Sequence, residues 1–124
     1  LGRAPAAGGW SAATVVAHLA DAELVYSVRV RLVLTAERPW LVAFAEEPWA
    51  ERFAPLEPDV RESLQRWRLL RDGNVRLFES LTDEEWAREG VHEERGTLSV
   101  AAIADLLAAH DREHLDQIRR ALSD

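Results

Sequence analysis

The 124-residue sequence predicts an all-α fold: an up-down helical bundle of the four-helix type, in one domain over residues 1–124. Three observations carry this. Apolar residues recur at steps of three and four through long stretches free of Gly and Pro. Residues suited to helix capping stand before those stretches, and no segment alternates convincingly with the two-residue period of a strand. A chain of this length buries roughly two-thirds of its unfolded surface, enough for a core without disulfide staples.

The elements follow in order. Leu1 to Trp10 is rich in Gly, Pro and Ala and reads as a lead-in loop. Ser11 is a candidate N-cap for a run from Ala12 to Arg38, in which Val15, Leu19, Ala22, Val25, Val28, Leu32 and Ala36 form an amphipathic stripe. The Val28–Leu34 stretch also alternates, but the helical period before it is long and continuous, so helix is expected. Pro39, Pro48, Pro55 and Pro58 punctuate a connector carrying Trp40, Phe44, Trp49 and Phe53, with room for one or two helical turns at Glu46 to Phe53. Asp59 with Glu62 has the form of a capping box and opens a helix from about Val60 to Leu81. Gly73 and Asn74 weaken it by about 1 kcal/mol against Ala. Thr82 with Glu85 is a second capping box before a short helix through Trp86 and Arg88. Glu89 to Leu98, with Gly90 and Gly96, is expected to be a loop. Ser99 then caps a last helix, Val100 to about Leu122. Three long helices with wide stripes pack best around a fourth. Because the chain holds no Met, even at its start, the expectation is a domain truncated at its N-terminus, with the partner helix upstream of Leu1.

Composition removes most common chemistries. There is no Cys, so there is no disulfide framework, thiolate nucleophile or Cys-ligated metal. There is no Lys, so there is no Schiff base and no P-loop. All fifteen basic residues are Arg, set against 22 acids, for a net charge of −7 that disfavours nucleic acid as a partner. No apolar run is long enough to span a membrane, and the expected location is the cytoplasm.

What remains concentrated is histidine. His110 and His114 stand one helical turn apart on the inward face of the last helix, about 6 Å from each other, where two imidazoles can share a metal. His18 lies in line with Val15, Ala22 and Val25 and also points inward. Three converging imidazoles suit a divalent metal with open coordination positions, as in catalytic sites. The inverted H-x-x-E-H protease motif fails because only ten residues follow His114. A di-iron site fails because Val15 stands where an acid is needed. Asp21 and Asp111 are candidates to orient the ligand rings through their other nitrogens. Arg29 is a candidate to hold an anionic substrate group, although it lies about 16 Å along its helix from His18. Trp40 and Trp49 are candidates to roof a pocket, and His92, a loop histidine near the last helix, is a candidate to line it.

Gly9-Trp10-Ser11 followed by Val16-Ala17-His18-Leu19-Ala20-Asp21-Ala22-Glu23 resembles the start of the metal-binding helix in the DinB-like superfamily, particularly its YfiT-like branch. The likeness runs on through Arg38-Pro39, Trp49-Ala50, Trp86 to Gly90, His92, Gly96-Thr97-Leu98-Ser99, and His110-Asp111 to His114 with Gln117-Ile118. The resemblance implies a four-helix bundle whose His18, His110 and His114 bind one divalent metal (Zn, Ni, Mn or Fe). It also implies a homodimer and a small-molecule substrate, with hydrolysis or S-transfer from a low-molecular-weight thiol such as bacillithiol or mycothiol. The rival expectation is a non-catalytic metal-binding or dimerisation scaffold, favoured by the lack of an acid–base partner beyond the His triad.

Overall fold

The computed structural model describes residues 9–123, so the lead-in loop expected before Gly9 and any helix upstream of Leu1 lie outside the described residues. Helix α1 runs Ala12–Thr35, started by Ser11, whose hydroxyl accepts from the Thr14 N–H at 3.2 Å. It stops three residues short of the expected Arg38. Pro39 disfavours helical backbone before it, and Arg38 takes a left-handed φ of 47°. The Arg88 guanidinium finishes the helix by donating to the Val33 and Ala36 carbonyls, both at 2.9 Å.

Strand β1 (Trp40–Leu41), helix α2 (Glu46–Phe53) and a 3₁₀ turn (Ala54–Leu56) fill the connector. Helix α3 (Val60–Ser80) is capped by Asp59, which accepts from the Arg61 N–H at 2.9 Å. Thr82 and Glu85 form the expected reciprocal capping box on helix α4 (Asp83–Trp86). Ser99 caps helix α5 (Val100–Ser123) through the Ala102 N–H.

The Glu89–Leu98 loop is corrected by the structure. It forms strand β2 (Glu89–His92) and strand β3 (Gly96–Ser99), an antiparallel hairpin, with β1 parallel to β2 on the other side. Gly90 permits this: a Cβ there would stand 3.0 Å from the Pro39 carbonyl oxygen and 3.1 Å from Val33. So small a sheet is not stable alone. It is held against a core of Val30, Val33, Leu41, Val100 and Ile103, each contributing about 1.5–3 kcal/mol when fully buried.

Helix α1 is central, with α3 and α5 both packed on it. Every residue from Val15 to Glu23 is buried, as expected of a helix enclosed on all sides. Further along, Val28 and Leu32 of the expected stripe are exposed, and the buried line is Ser27, Val30 and Val33. The enclosed part includes a carboxylate, Glu23, with no exposed surface. Arg71 of α3 grips it with two bonds of 2.8 and 3.0 Å, Asn74 donates to it at 2.7 Å, and Arg71 also pairs with Asp111 of α5. One guanidinium thus ties α1, α3 and α5 together, one residue away from His110.

Candidate metal centre

His18 leaves the buried face of α1, while His110 and His114 leave α5 one turn apart, and the three rings meet. His110 Nε2 lies 3.0 Å from His18 Nε2 and 3.1 Å from His114 Nε2. The fourth member comes from α2. Glu46 Oε1 stands 2.7 Å from His110 Nε2, 3.0 Å from His18 Nε2 and 3.9 Å from His114 Nε2. Phe44 stacks on His18 at 5.5 Å, and Trp10 stacks on His114 at 6.0 Å.

The electrostatics follow from burial and this crowding. Hydrogen bonds from His110 and His18, with the His114 ring close by, hold the Glu46 carboxyl far below the usual carboxylate range. Burial lowers His18, with Glu46 opposing, so that ring is neutral. For His110, burial acts downward but the Asp111 and Glu46 carboxylates outweigh it, and its pKa is raised to about 9.

The donor set fits a divalent cation. Atoms bound about 2.1 Å from one ion stand roughly 3.0–3.4 Å apart, which is the spacing of the His18–His110, His110–His114 and His18–Glu46 pairs. His114 Nδ1 donates to Gln117 Oε1 at 2.8 Å, which fixes the tautomer and turns the Nε2 lone pair toward the cluster. His18 Nδ1 and His110 Nδ1 are buried without a hydrogen-bond partner. Asp111 Oδ1 is 3.6 Å from His110 Nδ1, beside the ring but beyond hydrogen-bond distance.

The other expected residues divide. Arg29 and His92 line a cavity of about 400 Å³ that also contains Glu46, His110 and Phe44. Asp21 does not reach His18: its carboxylate pairs with Arg66 of α3 at 2.9 Å. Trp40 is 60% exposed on β1, and Trp49 packs edge-on against Phe44. Neither roofs the cavity, and the aromatic groups over the imidazoles are Phe44 and Trp10 instead. Sequence reasoning missed Glu46 and Gln117. The available signals were an acid in the first turn of a connector helix and an acceptor three residues after His114.

Comparison with known proteins gives the family of the chain. The family model of the DinB superfamily matches residues 1–118. The chain belongs to the DinB superfamily. Among its DinB relatives, a provisionally named metal-dependent hydrolase of Oceanobacillus iheyensis is 34% identical over 120 residues, covering 94% of this chain and 66% of the relative. Another, from Bacillus cereus, is 35% identical over 115 residues, covering 90% of this chain and 64% of the relative. The chain therefore spans about two thirds of the length of these curated relatives. The structure of YfiT from Bacillus subtilis, described as a probable metal-dependent hydrolase with an unusual four-helix bundle topology, superposes with a TM-score of 0.89. It is 27% identical, with 98% of this chain and 70% of that one covered. The DinB four-helix bundle fold expected from the sequence is the fold observed.

Proposed function

We propose that this chain forms the metal-binding part of a metal-dependent hydrolase, in which His18, His110, His114 and Glu46 hold one divalent cation. The observation that carries the reading is the convergence of three imidazole nitrogens and a carboxylate oxygen within 4.8 Å of one another beside a cavity. The names of the relatives support the same chemistry. A nitrogen-rich set with one oxygen suits Zn, Ni, Mn or Fe. Such a cation supplies a Lewis acid and allows water to lose a proton near neutral pH.

The chain's own residues do the rest. Glu46 keeps its charge because the imidazoles bond to Oε1, while Oε2 makes no hydrogen bond among the described residues. With its side chain 43% exposed, Glu46 stands as a fixed negative charge beside the cavity, and a carboxylate held so far below its usual range is a weak proton acceptor. Phe44 and Trp10 keep water from the imidazole faces, and Gln117 fixes the His114 ring. A thiol cosubstrate such as bacillithiol would be activated at the same place, but hydrolysis stands first because the relatives carry that name. The other partner in this reading is a second copy of the chain.

Metal analysis of freshly purified protein tests it. Wild type is expected to hold close to one metal per chain, and His110→Ala with His114→Ala none. Equal metal content in the two proteins overturns the reading.

A further inference from the structure

The cavity beside the histidine cluster contains a buried cation with no counter-charge. Arg29 is 8% exposed. Its Nη2 donates to the Val42 carbonyl at 2.8 Å, its guanidinium lies 5.1 Å from the Tyr26 ring centre, and its Nε has no partner. None of the ion pairs among the described residues includes Arg29. The acids that line the same cavity are placed otherwise: Glu46 is bonded to His18 and His110, and Glu94 and Glu113 are exposed. Burial pushes the Arg29 pKa down, yet a guanidinium stays protonated at any physiological pH. Buried charges are normally paired, so this one is short of an anion.

His92 supplies a second donor. Its Nδ1 accepts from the Glu94 and Arg95 N–H groups, both at 3.1 Å, in the turn between β2 and β3. The proton of the neutral ring therefore sits on Nε2, which bonds to nothing among the described residues. Burial, with Arg29 and Arg95 adding to it, lowers the His92 pKa and keeps the ring in that neutral form. A side chain 6% exposed thus lines the same cavity with an unused N–H.

We infer that Arg29 and His92 form an anion subsite that takes a carboxylate group of the substrate and orients its reacting bond toward the histidine cluster. The inference rests on the proposed reading of the cavity as the substrate chamber. The chemistry favours carboxylate over phosphate. Arg29 and the neutral His92 ring bring a single buried positive charge, which a monoanion balances, while Arg95, which also lines the cavity, is exposed and its charge is screened by solvent. A phosphate dianion would leave a charge unpaired beside Glu46. The substrate class is then a small molecule with a carboxylate set apart from the bond to be hydrolysed.

Titrating benzoate into the metal-free full chain, with benzamide and inorganic phosphate as comparisons, tests the subsite without metal. Benzoate is expected to bind saturably, and benzamide and phosphate at least tenfold more weakly. Arg29→Gln is expected to weaken benzoate by about tenfold or more, the loss of a charge-assisted bond. The His110→Ala/His114→Ala chain is expected to retain benzoate binding, so failure of the metal reading and failure of the subsite give different results. No saturable benzoate binding, equal affinity in wild type and Arg29→Gln, or tighter binding of benzamide or phosphate overturns the inference. If Arg29→Gln does not fold, the Arg29 Nε–H resonance of the wild type is followed instead. A shift on adding benzoate supports the subsite, and an unmoved resonance overturns it.

Discussion

The clamp made by Arg71 offers the most exacting test of how this bundle holds its site. Glu23 has no exposed surface, and its charge is met by two bonds from Arg71 and one from Asn74. Arg71→Met keeps a side chain of similar length beside Trp67 but removes the charge, stranding Glu23 and Asp111 together. Breaking one partner from a buried ion pair costs about 3–5 kcal/mol. The Arg71 side chain is 27% exposed, so the lower end applies, about 3 kcal/mol. In a domain of this size that lowers Tm by about 10 °C. Adding Glu23→Gln removes the stranded charge while keeping an acceptor for Asn74. The double variant is therefore expected to be more stable than Arg71→Met alone, by about 2 kcal/mol. Urea denaturation followed by circular dichroism measures all four corners of the cycle. A loss below about 1 kcal/mol in Arg71→Met, or a double variant less stable than either single one, would refute the idea that Glu23 depends on that guanidinium.

Two further outcomes concern the site. His110, raised to about 9 in the metal-free chain, carries a proton at pH 7.5, whereas neutral His18 does not. Metal binding at that pH should release about one proton per ion, and the release should fade as pH rises through 9. Calorimetry in buffers of different ionisation enthalpy reads this directly, and a heat independent of buffer contradicts it. Gln117→Leu removes the acceptor that fixes the His114 tautomer, and should weaken metal affinity about tenfold to hundredfold without unfolding the helix. Competition with a chromogenic chelator measures the change, and unaltered affinity counts against an orienting role.

The parts of this molecule that were legible in the sequence are those governed by one helix at a time. The i, i+4 spacing of His110 and His114 fixes their shared face whatever surrounds them, and the apolar positions around His18 turn it inward. The capping box at Thr82 and Glu85 is likewise closed within four residues. The hairpin was not legible because each strand has four residues, too few for a two-residue period to stand out. What forms it is a tertiary event: the Val91 N–H donates to the Pro39 carbonyl at 2.8 Å, and Gly90 lets the chains approach.

The contrast between Asp21 and Glu46 shows why the site was harder to read than the fold. Asp21 follows His18 by three residues, close enough on the helix to suggest a partner, yet Arg66 arrives from α3 and takes its carboxylate. Glu46 is 28 residues from His18 and 64 from His110, and it reaches both because α2 packs against α1 beside the cavity. Helical rise is equally misleading for Arg29. Counted along the axis it is about 16 Å from His18, but Arg29 shares a cavity with Glu46 and His110 of the cluster. Which partner a carboxylate meets is set by the packing of the elements in three dimensions, and sequence distance sets only which candidates the chain can offer. Glu46, in the first turn of α2 where the helix dipole favours a negative charge, is preserved as an anion before any imidazole bonds to it. The position of that helix, more than any motif, decides that the histidine cluster has a carboxylate beside it.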